Sequence, residues 1–99
     1  MRMPEEQKEA ITRIMRSIPS AGDVRVVIFG SRARGDARFG SDIDVGIERK
    51  DGMPLPPGFL ADVQEAFDES SLEERVEVVD LSRVSPGFRY EALSHSVSL

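Results

Sequence analysis

The apolar residues near the start of the chain recur at the spacing of one buried helical face: Ile11, Ile14, Met15 and Ile18. This period predicts an amphipathic helix over residues 4–18. Glu5 and Glu6 suit its first turn, because negative charge there meets the positive end of the helix dipole. Residues 24–29 are different, since only Arg25 interrupts an apolar run. Such a run is typical of a central strand that is covered on both faces.

The next predicted strand, over residues 42–47, has one apolar face and one acidic face. Alternation along a strand places Asp42 and Asp44 on the same side, about 6.6 Å apart. The apolar face consists of Ile43, Val45 and Ile47. Neighbouring carboxylates repel each other unless a cation lies between them, so the aspartate pair is a candidate site for divalent metal ions. Gly46 follows on the acidic face and is expected to leave room for a ligand.

Gly30 and Ser31 follow the first strand directly and are candidates for phosphate binding. A glycine lets the backbone come close to a phosphate, and a helix that starts here would direct its N–H groups toward it. Ser31 can donate its hydroxyl, although a serine at this position also commonly caps a helix. The guanidinium groups of Arg32 and Arg34 match phosphate oxygens, although arginines beside a helix start are also often simply solvated.

The second half of the chain continues the alternation of helices and strands. A charged and proline-rich stretch over residues 48–58 is expected to be an exposed loop. A second amphipathic helix is predicted from residue 59 to about 70, and a third strand over residues 75–81. Ser85 and Pro86 favour a final helix start, with serine as the cap and proline in the first turn.

The third strand carries two further candidate metal ligands, Glu77 and Asp80. Their separation is odd, so in a regular strand only one of them can face Asp42 and Asp44. If Glu77 faces the aspartates, its valine neighbours pack into the core. If Asp80 does, Glu77 must point into the core as an unpaired charge, which is costly. Glu77 is therefore the preferred candidate, with Asp80 as the alternative.

These elements follow the order α-β-α-β-α-β-α, with a short helix expected after Ser31, and predict an α+β fold with helices over a small mixed sheet. The 99 residues suit a single domain, residues 1–99, whose 39% hydrophobic and 31% charged content is typical of a globular protein. No apolar run approaches the roughly 20 residues of a membrane span, and no signal peptide is evident. The sequence contains no cysteine, which is compatible with the cytoplasm.

Charge and residue type limit the possible ligands. A net charge of −5 argues against a broad nucleic-acid-binding surface, because such surfaces need clustered lysine and arginine. The candidate metal ligands are all carboxylates, which favours Mg²⁺ or Mn²⁺ over zinc. His95, the single histidine, lies in a polar stretch and is expected to be exposed rather than to act as a ligand or base.

Gly30, Ser31, ten intervening residues and then Asp42-Ile43-Asp44 resemble the GS-x10-DxD signature of the polymerase beta nucleotidyltransferase superfamily. The short length, the GSRARG segment and the SDIDV strand resemble, within it, the minimal nucleotidyltransferases, which are small prokaryotic proteins often paired with HEPN-domain partners. The resemblance implies the nucleotidyltransferase fold. The chain has Glu77 where many minimal relatives have aspartate.

The resemblance also implies an activity and a set of site residues. The chain is expected to take NMP from an NTP, with ATP as the expected donor, place it on a hydroxyl and release pyrophosphate. Asp42, Asp44 and Glu77 are expected to hold two Mg²⁺ ions, for which Mn²⁺ can substitute. The expected nucleotide-binding residues are Gly30, Ser31 and Arg32.

The implied partner is a HEPN-domain toxin that is bound and adenylylated, which would make this chain the antitoxin. One alternative is a module without catalysis that neutralises its partner by binding alone. Another alternative is transfer to a small molecule such as an aminoglycoside. That alternative is disfavoured because a chain of this length is not expected to include a second domain to hold the acceptor.

Overall fold

The computed structural model describes residues 5–19, 23–30 and 42–99. Within these ranges the elements are α1 (Glu5–Arg16), β1 (Val24–Phe29), β2 (Ile43–Arg49), α2 (Phe59–Asp68), β3 (Val76–Asp80), α3 (Pro86–Ser94) and β4 (Val97–Ser98). The predicted α+β class is confirmed, and the predicted helices and strands in these ranges are present. The short helix predicted after Ser31 lies outside the described residues.

The strands form one mixed sheet in the order β3-β2-β1-β4. β1 is antiparallel to β2 and to β4, whereas β2 and β3 are parallel. The predicted element order lacked β4, which pairs Val97 with Ile28 and Ser98 with Val27. A two-residue strand has no period that a sequence pattern could reveal, so its pairing with β1 alone defines it.

One face of the sheet is continuously apolar and forms the larger part of the core. Its buried strand residues are Val24, Val26, Ile28, Ile43, Val45, Ile47, Val76 and Val78. Helices α1 and α2 pack on this face through Ile11, Met15, Val63 and Phe67, among others. The apolar side that was predicted for β2 is therefore confirmed. Burial of each such side chain contributes about 1.5–3 kcal/mol, so this layer holds most of the favourable energy of the fold.

Helix α2 also covers the outer edge of the sheet at β3. The side-chain amide of Gln64 donates to the carbonyl of Val76 at 2.8 Å and accepts from the N–H of Val78 at 3.0 Å. These two bonds occupy backbone groups of an edge strand that would otherwise be available to another chain. Of the described helices, none is long and apolar enough to cross a bilayer.

Helix α3 packs on the opposite face of the sheet, which we call the acidic face because Asp44 and Glu77 lie on it. Its buried apolar members are Val27, Phe29, Leu81 and Ala92, with Val79, Val84 and Leu93 packed around them. The predicted helix start is confirmed, since the Ser85 side chain accepts a hydrogen bond of 3.1 Å from the N–H of Phe88. α3 thus lies on the face that carries the candidate carboxylates.

Two local predictions for β2 were wrong. The strand continues through Glu48 and Arg49, where a loop was expected, because Arg25 of β1 pairs with Glu48 in the ladder. Gly46 does not leave room for a ligand. A Cβ at Gly46 would lie 2.8 Å from a methyl carbon of Leu81, so the space above the glycine is filled by that side chain.

Candidate active site

Gly30 is the first residue after β1, and its backbone lies against the carboxylate of Asp44. Its φ of 76° falls in the left-handed region that favours glycine. A Cβ at this position would overlap the Oδ2 atom of Asp44. The prediction assigned this glycine to close approach of a phosphate. In the described structure, its lack of a side chain also accommodates a carboxylate of the neighbouring strand.

The register of the sheet brings Asp44 and Glu77 side by side. Asp44 is the partner of Phe29 in the antiparallel ladder and of Glu77 in the parallel ladder. Partners in a ladder project to the same face, so Phe29, Asp44 and Glu77 form a row across three strands. Asp44 is half-buried and Glu77 is exposed. A glutamate at this position can therefore extend from the strand toward a ligand above Asp44.

Asp80 lies on the other face of β3, where its ladder partner is Ile47. Its carboxylate accepts hydrogen bonds from the N–H of Ser82 at 2.9 Å and from the Ser82 hydroxyl at 2.6 Å. Asp80 therefore stabilises the turn after β3. Of the two candidate third carboxylates, the preferred one, Glu77, lies on the face of Asp44.

Asp42 is exposed and lies immediately before β2, two residues from Asp44. Over the residues that the structure describes, no group of three or more histidine, cysteine, aspartate and glutamate side chains is close enough to hold a metal ion. The three-carboxylate metal site of Asp42, Asp44 and Glu77 thus stays a prediction. Ser31 and Arg32, which were expected to contact the triphosphate, lie outside the described residues.

Glu48 is a charged residue on the acidic face that sequence reasoning missed. It is 8% exposed and forms ion pairs with Arg25 of β1 and Arg89 of α3. Arg89 donates through Nε to Oε2 at 3.0 Å and through Nη2 to Oε1 at 2.9 Å. The hydrogen bond from Arg89 lowers the pKa of Glu48 below its ordinary value, outweighing the opposite effect of burial, and Arg25 lowers it further. This carboxylate fixes α3 to the sheet.

The alternation that relates Asp42 to Asp44 could have identified Glu48, since residues 44, 46 and 48 share one side of a regular strand. No local pattern indicates the partner of Glu48, because Arg89 is 41 residues away in the chain.

Beside this ion pair is a groove of about 760 Å³, lined in part by Met53, Leu81, Arg89 and Tyr90. Gly30 is not among the residues that line this groove.

A second, smaller cleft adjoins Gly30 itself. It has a volume of about 350 Å³ and is lined by Phe29, Gly30, Phe88, Glu91, Ala92 and His95. The Phe88 ring packs edge-on against the Phe29 ring, with centroids 6.0 Å apart and planes at 85°. His95 is exposed, as predicted, but it lies in the wall of this cleft. Among the residues that the structure describes, the strand end that carries Gly30 and Asp44 is thus open toward α3.

Comparison with protein families gives a match over residues 11–99 to the family described as "Polymerase beta, Nucleotidyltransferase". The chain is also 41% identical, over 69 residues, to the probable protein adenylyltransferase MntA of Haemophilus influenzae. That alignment covers 68% of this chain and 57% of the relative, so it spans little more than half of the relative's length.

Solved structures share the fold at low sequence identity. A toxin–antitoxin complex with AMP-PNP superposes with a TM-score of 0.70 and 22% identity, over 92% of this chain and 70% of the other. A complex of a tri-AMPylated Shewanella oneidensis HEPN toxin with an MNT antitoxin gives a TM-score of 0.67 and 18% identity, over 97% and 71% of the two chains. Both comparisons show that the described sheet and helices have the nucleotidyltransferase fold.

Proposed function

This chain belongs to the polymerase beta nucleotidyltransferase family, and from that premise we propose that it transfers AMP from ATP to a hydroxyl group of a protein partner. The similarity to MntA and to the MNT antitoxin fold confirms the resemblance to minimal nucleotidyltransferases. The single observation that carries the proposal is the contact of the Asp44 carboxylate with Gly30, with Glu77 beside it.

Gly30, Ser31 and Arg32 are the proposed residues for the triphosphate. Gly30 supports this role because its backbone carries no side chain at the end of a central strand. The backbone there can approach an anion closely. The hydroxyl of Ser31 and the guanidinium of Arg32 follow directly in the sequence and would donate to phosphate oxygens.

Asp42, Asp44 and Glu77 are the proposed ligands of two Mg²⁺ ions, for which Mn²⁺ can substitute. The residues fit such ions in type, because carboxylate oxygens are the ligands that Mg²⁺ prefers. Bound ions would lower the pKa of the attacking hydroxyl and neutralise charge on the triphosphate. The chain itself holds Asp44 and Glu77 on adjacent parallel strands, so the backbone of the sheet sets their separation. Phe29, next to Asp44 in the ladder, provides an apolar side to the site.

The proposed partner is a HEPN-domain toxin, with this chain as its antitoxin and the cytoplasm as its location. Support comes from the fold shared with an MNT antitoxin bound to an AMPylated HEPN toxin. The net charge of −5 also suits a basic partner, because opposite charge speeds encounter.

The test is to incubate the chain with the product of the neighbouring gene, which the proposal expects to be a HEPN-domain protein, together with Mg²⁺ and α-labelled ATP. Label and a mass increase of one or more AMP units on the partner are expected. The matched variants are Glu77→Gln, which should abolish transfer, and Asp80→Asn, which should retain it because Asp80 lies on the opposite face. A complex that neutralises the toxin without any label would contradict transfer and favour inhibition by binding alone.

A further inference from the structure

We propose that the cleft between Gly30 and α3 holds the base of the nucleoside triphosphate, with Phe88 as its stacking surface. This inference rests on the proposed function and adds to it the residues that contact the base. The cleft is the one lined by Phe29, Gly30, Phe88, Glu91, Ala92 and His95, which we call the Phe88 cleft.

The position of the cleft is the first support. Phe29 is the ladder partner of Asp44 and the residue before Gly30, so its ring lies beside the proposed phosphate end of the site. Phe88 packs against that ring. A nucleotide with its phosphates at Gly30 would extend its ribose and base away from them. The Phe88 cleft lies directly next to Gly30 and is thus within reach of the base.

The exposure of Phe88 is the second support. Phe29 is 7% exposed, whereas Phe88 is 45% exposed. The edge-on contact with Phe29 orients the Phe88 ring, and the helix fixes its backbone. Much of the ring surface nevertheless remains in contact with solvent. An aromatic ring that is oriented before a ligand arrives provides stacking area for a flat heterocycle without a large loss of side-chain entropy.

The polar residues of the cleft are the third support. Glu91 and His95 are one helical turn apart and line the same cleft as Phe88. A carboxylate accepts hydrogen bonds from the exocyclic amino group of a base, and an imidazole can both donate and accept. The volume of about 350 Å³ also lies within the range of roughly 300–1,000 Å³ that is usual for small-molecule sites.

Helix α3 offers a matched control in Tyr90. This aromatic residue is 72% exposed but lines the other groove, with Met53 and Arg89. The chain contains no tryptophan, so the tryptophan fluorescence of a variant comes from the single introduced residue. Phe88→Trp and Tyr90→Trp therefore place the same fluorescent side chain on one helix but in two different clefts.

The experiment is to add ATP with Mg²⁺ to both tryptophan variants and follow fluorescence. Quenching is expected for Phe88→Trp, because the base stacks on the indole, and none is expected for Tyr90→Trp.

In a separate measurement of ATP affinity, Phe88→Leu should weaken ATP binding about tenfold or more, since stacking with a base is lost. Inorganic tripolyphosphate, which has no base, should bind Phe88→Leu and the unmodified chain equally. Glu91→Gln should change the ranking of ATP, GTP, CTP and UTP.

The outcomes separate this inference from the proposed function. If ATP stabilises the unmodified chain but neither quenches Phe88→Trp nor binds Phe88→Leu more weakly, the base lies elsewhere and the inference fails alone. If Phe88→Leu lost as much affinity for tripolyphosphate as for ATP, the substitution would damage the phosphate site. That result would also overturn a role of Phe88 in base contact. Quenching by the protein partner but not by ATP would assign the cleft to the acceptor. A failure of the unmodified chain to bind ATP would overturn both proposals.

Discussion

The two faces of the sheet are built from alternate residues of the same strands, yet they differ in almost every physical property. On the apolar face, Val26, Ile28, Val45 and Ile47 are each at most 8% exposed and lie under two helices. Of the described helices, α3 alone lies over the acidic face, which carries two carboxylates beside a glycine, a buried ion pair and two grooves. Stability is thus concentrated on one side of the sheet and candidate chemistry on the other.

The difference shows how a small domain can carry a polar site at little cost to its fold. Carboxylates that are exposed or half-buried do not pay the full penalty of burying a charge. Among the described carboxylates of the acidic face, Glu48 is the strongly buried one, and it has two arginines as partners. Since the helices on the apolar face supply most of the hydrophobic burial, substitutions on the two faces should have separable effects.

The largest expected effect is on transfer, from the acidic face. Asp44→Asn together with Asp42→Asn should lower the rate of AMP transfer by orders of magnitude, because it removes proposed metal ligands that act in the transition state. The variant should still unfold cooperatively, so that the loss of transfer is not a loss of the fold. Rate measurements and thermal unfolding on the same preparation check both parts, and a transfer rate within a few-fold of the unmodified chain would remove these residues from the site.

On the apolar face, Ile28→Ala should have the largest effect on stability. Ile28 is fully buried, so the truncation should lower the free energy of unfolding by about 2–5 kcal/mol. Leu93→Ala on α3 is the control and should cost less, because Leu93 is only partly buried. Urea unfolding measures both variants. A larger cost for Leu93→Ala would contradict the assignment of stability to the apolar face.

Gly30→Ala tests the point where backbone and carboxylate meet. Gly58 has a similar φ, 81° against 76°, but a Cβ there would have no neighbour within 4 Å. Gly58→Ala should therefore cost only the left-handed backbone strain, about 1–2 kcal/mol. Gly30→Ala should cost more, because its methyl group also displaces Asp44, and it should lower transfer as well. Equal unfolding free energies for the two variants would show that Asp44 moves away freely.

The smallest expected effect is that of Arg89→Gln, which leaves Glu48 with Arg25 as its described partner. The folded-state pKa of Glu48 lies below its ordinary value of 4.5, so the pair stabilises the fold above that pH. This contribution is lost as the pH falls through the folded-state pKa. The variant should melt at a lower temperature than the unmodified chain at pH 7, and the difference should shrink below about pH 4.5.

Melting temperatures measured from pH 7 to pH 3 test this dependence. Arg83→Gln, at an exposed position in the turn after β3, is a control that removes the same kind of charge away from Glu48, and its difference from the unmodified chain should not follow the same curve. A difference for Arg89→Gln that stays constant or grows toward pH 3 would show that Arg89 acts through packing rather than through the charge of Glu48.

By itself the sequence determined the three described helices and the first three strands, with the faces of those strands, because these follow from periods of two or about 3.6 residues that are local to each segment. The pattern placed Asp44 opposite the core side of β2 and favoured Glu77 over Asp80 for the same face of β3. The amphipathic patterns of α1 and α2 likewise identified the residues that are buried against the sheet.

The tertiary structure alone decided which of these residues meet. The parallel register sets Asp44 beside Glu77, the side chain of Leu81 fills the space above Gly46, and Arg89 reaches Glu48 from α3. It also decided that residues 97–98 form a strand and that Phe88 and Gly30 line the same cleft. Each of these contacts joins residues far apart in the chain, and no local period encodes them, because they depend on how the helices pack across the sheet.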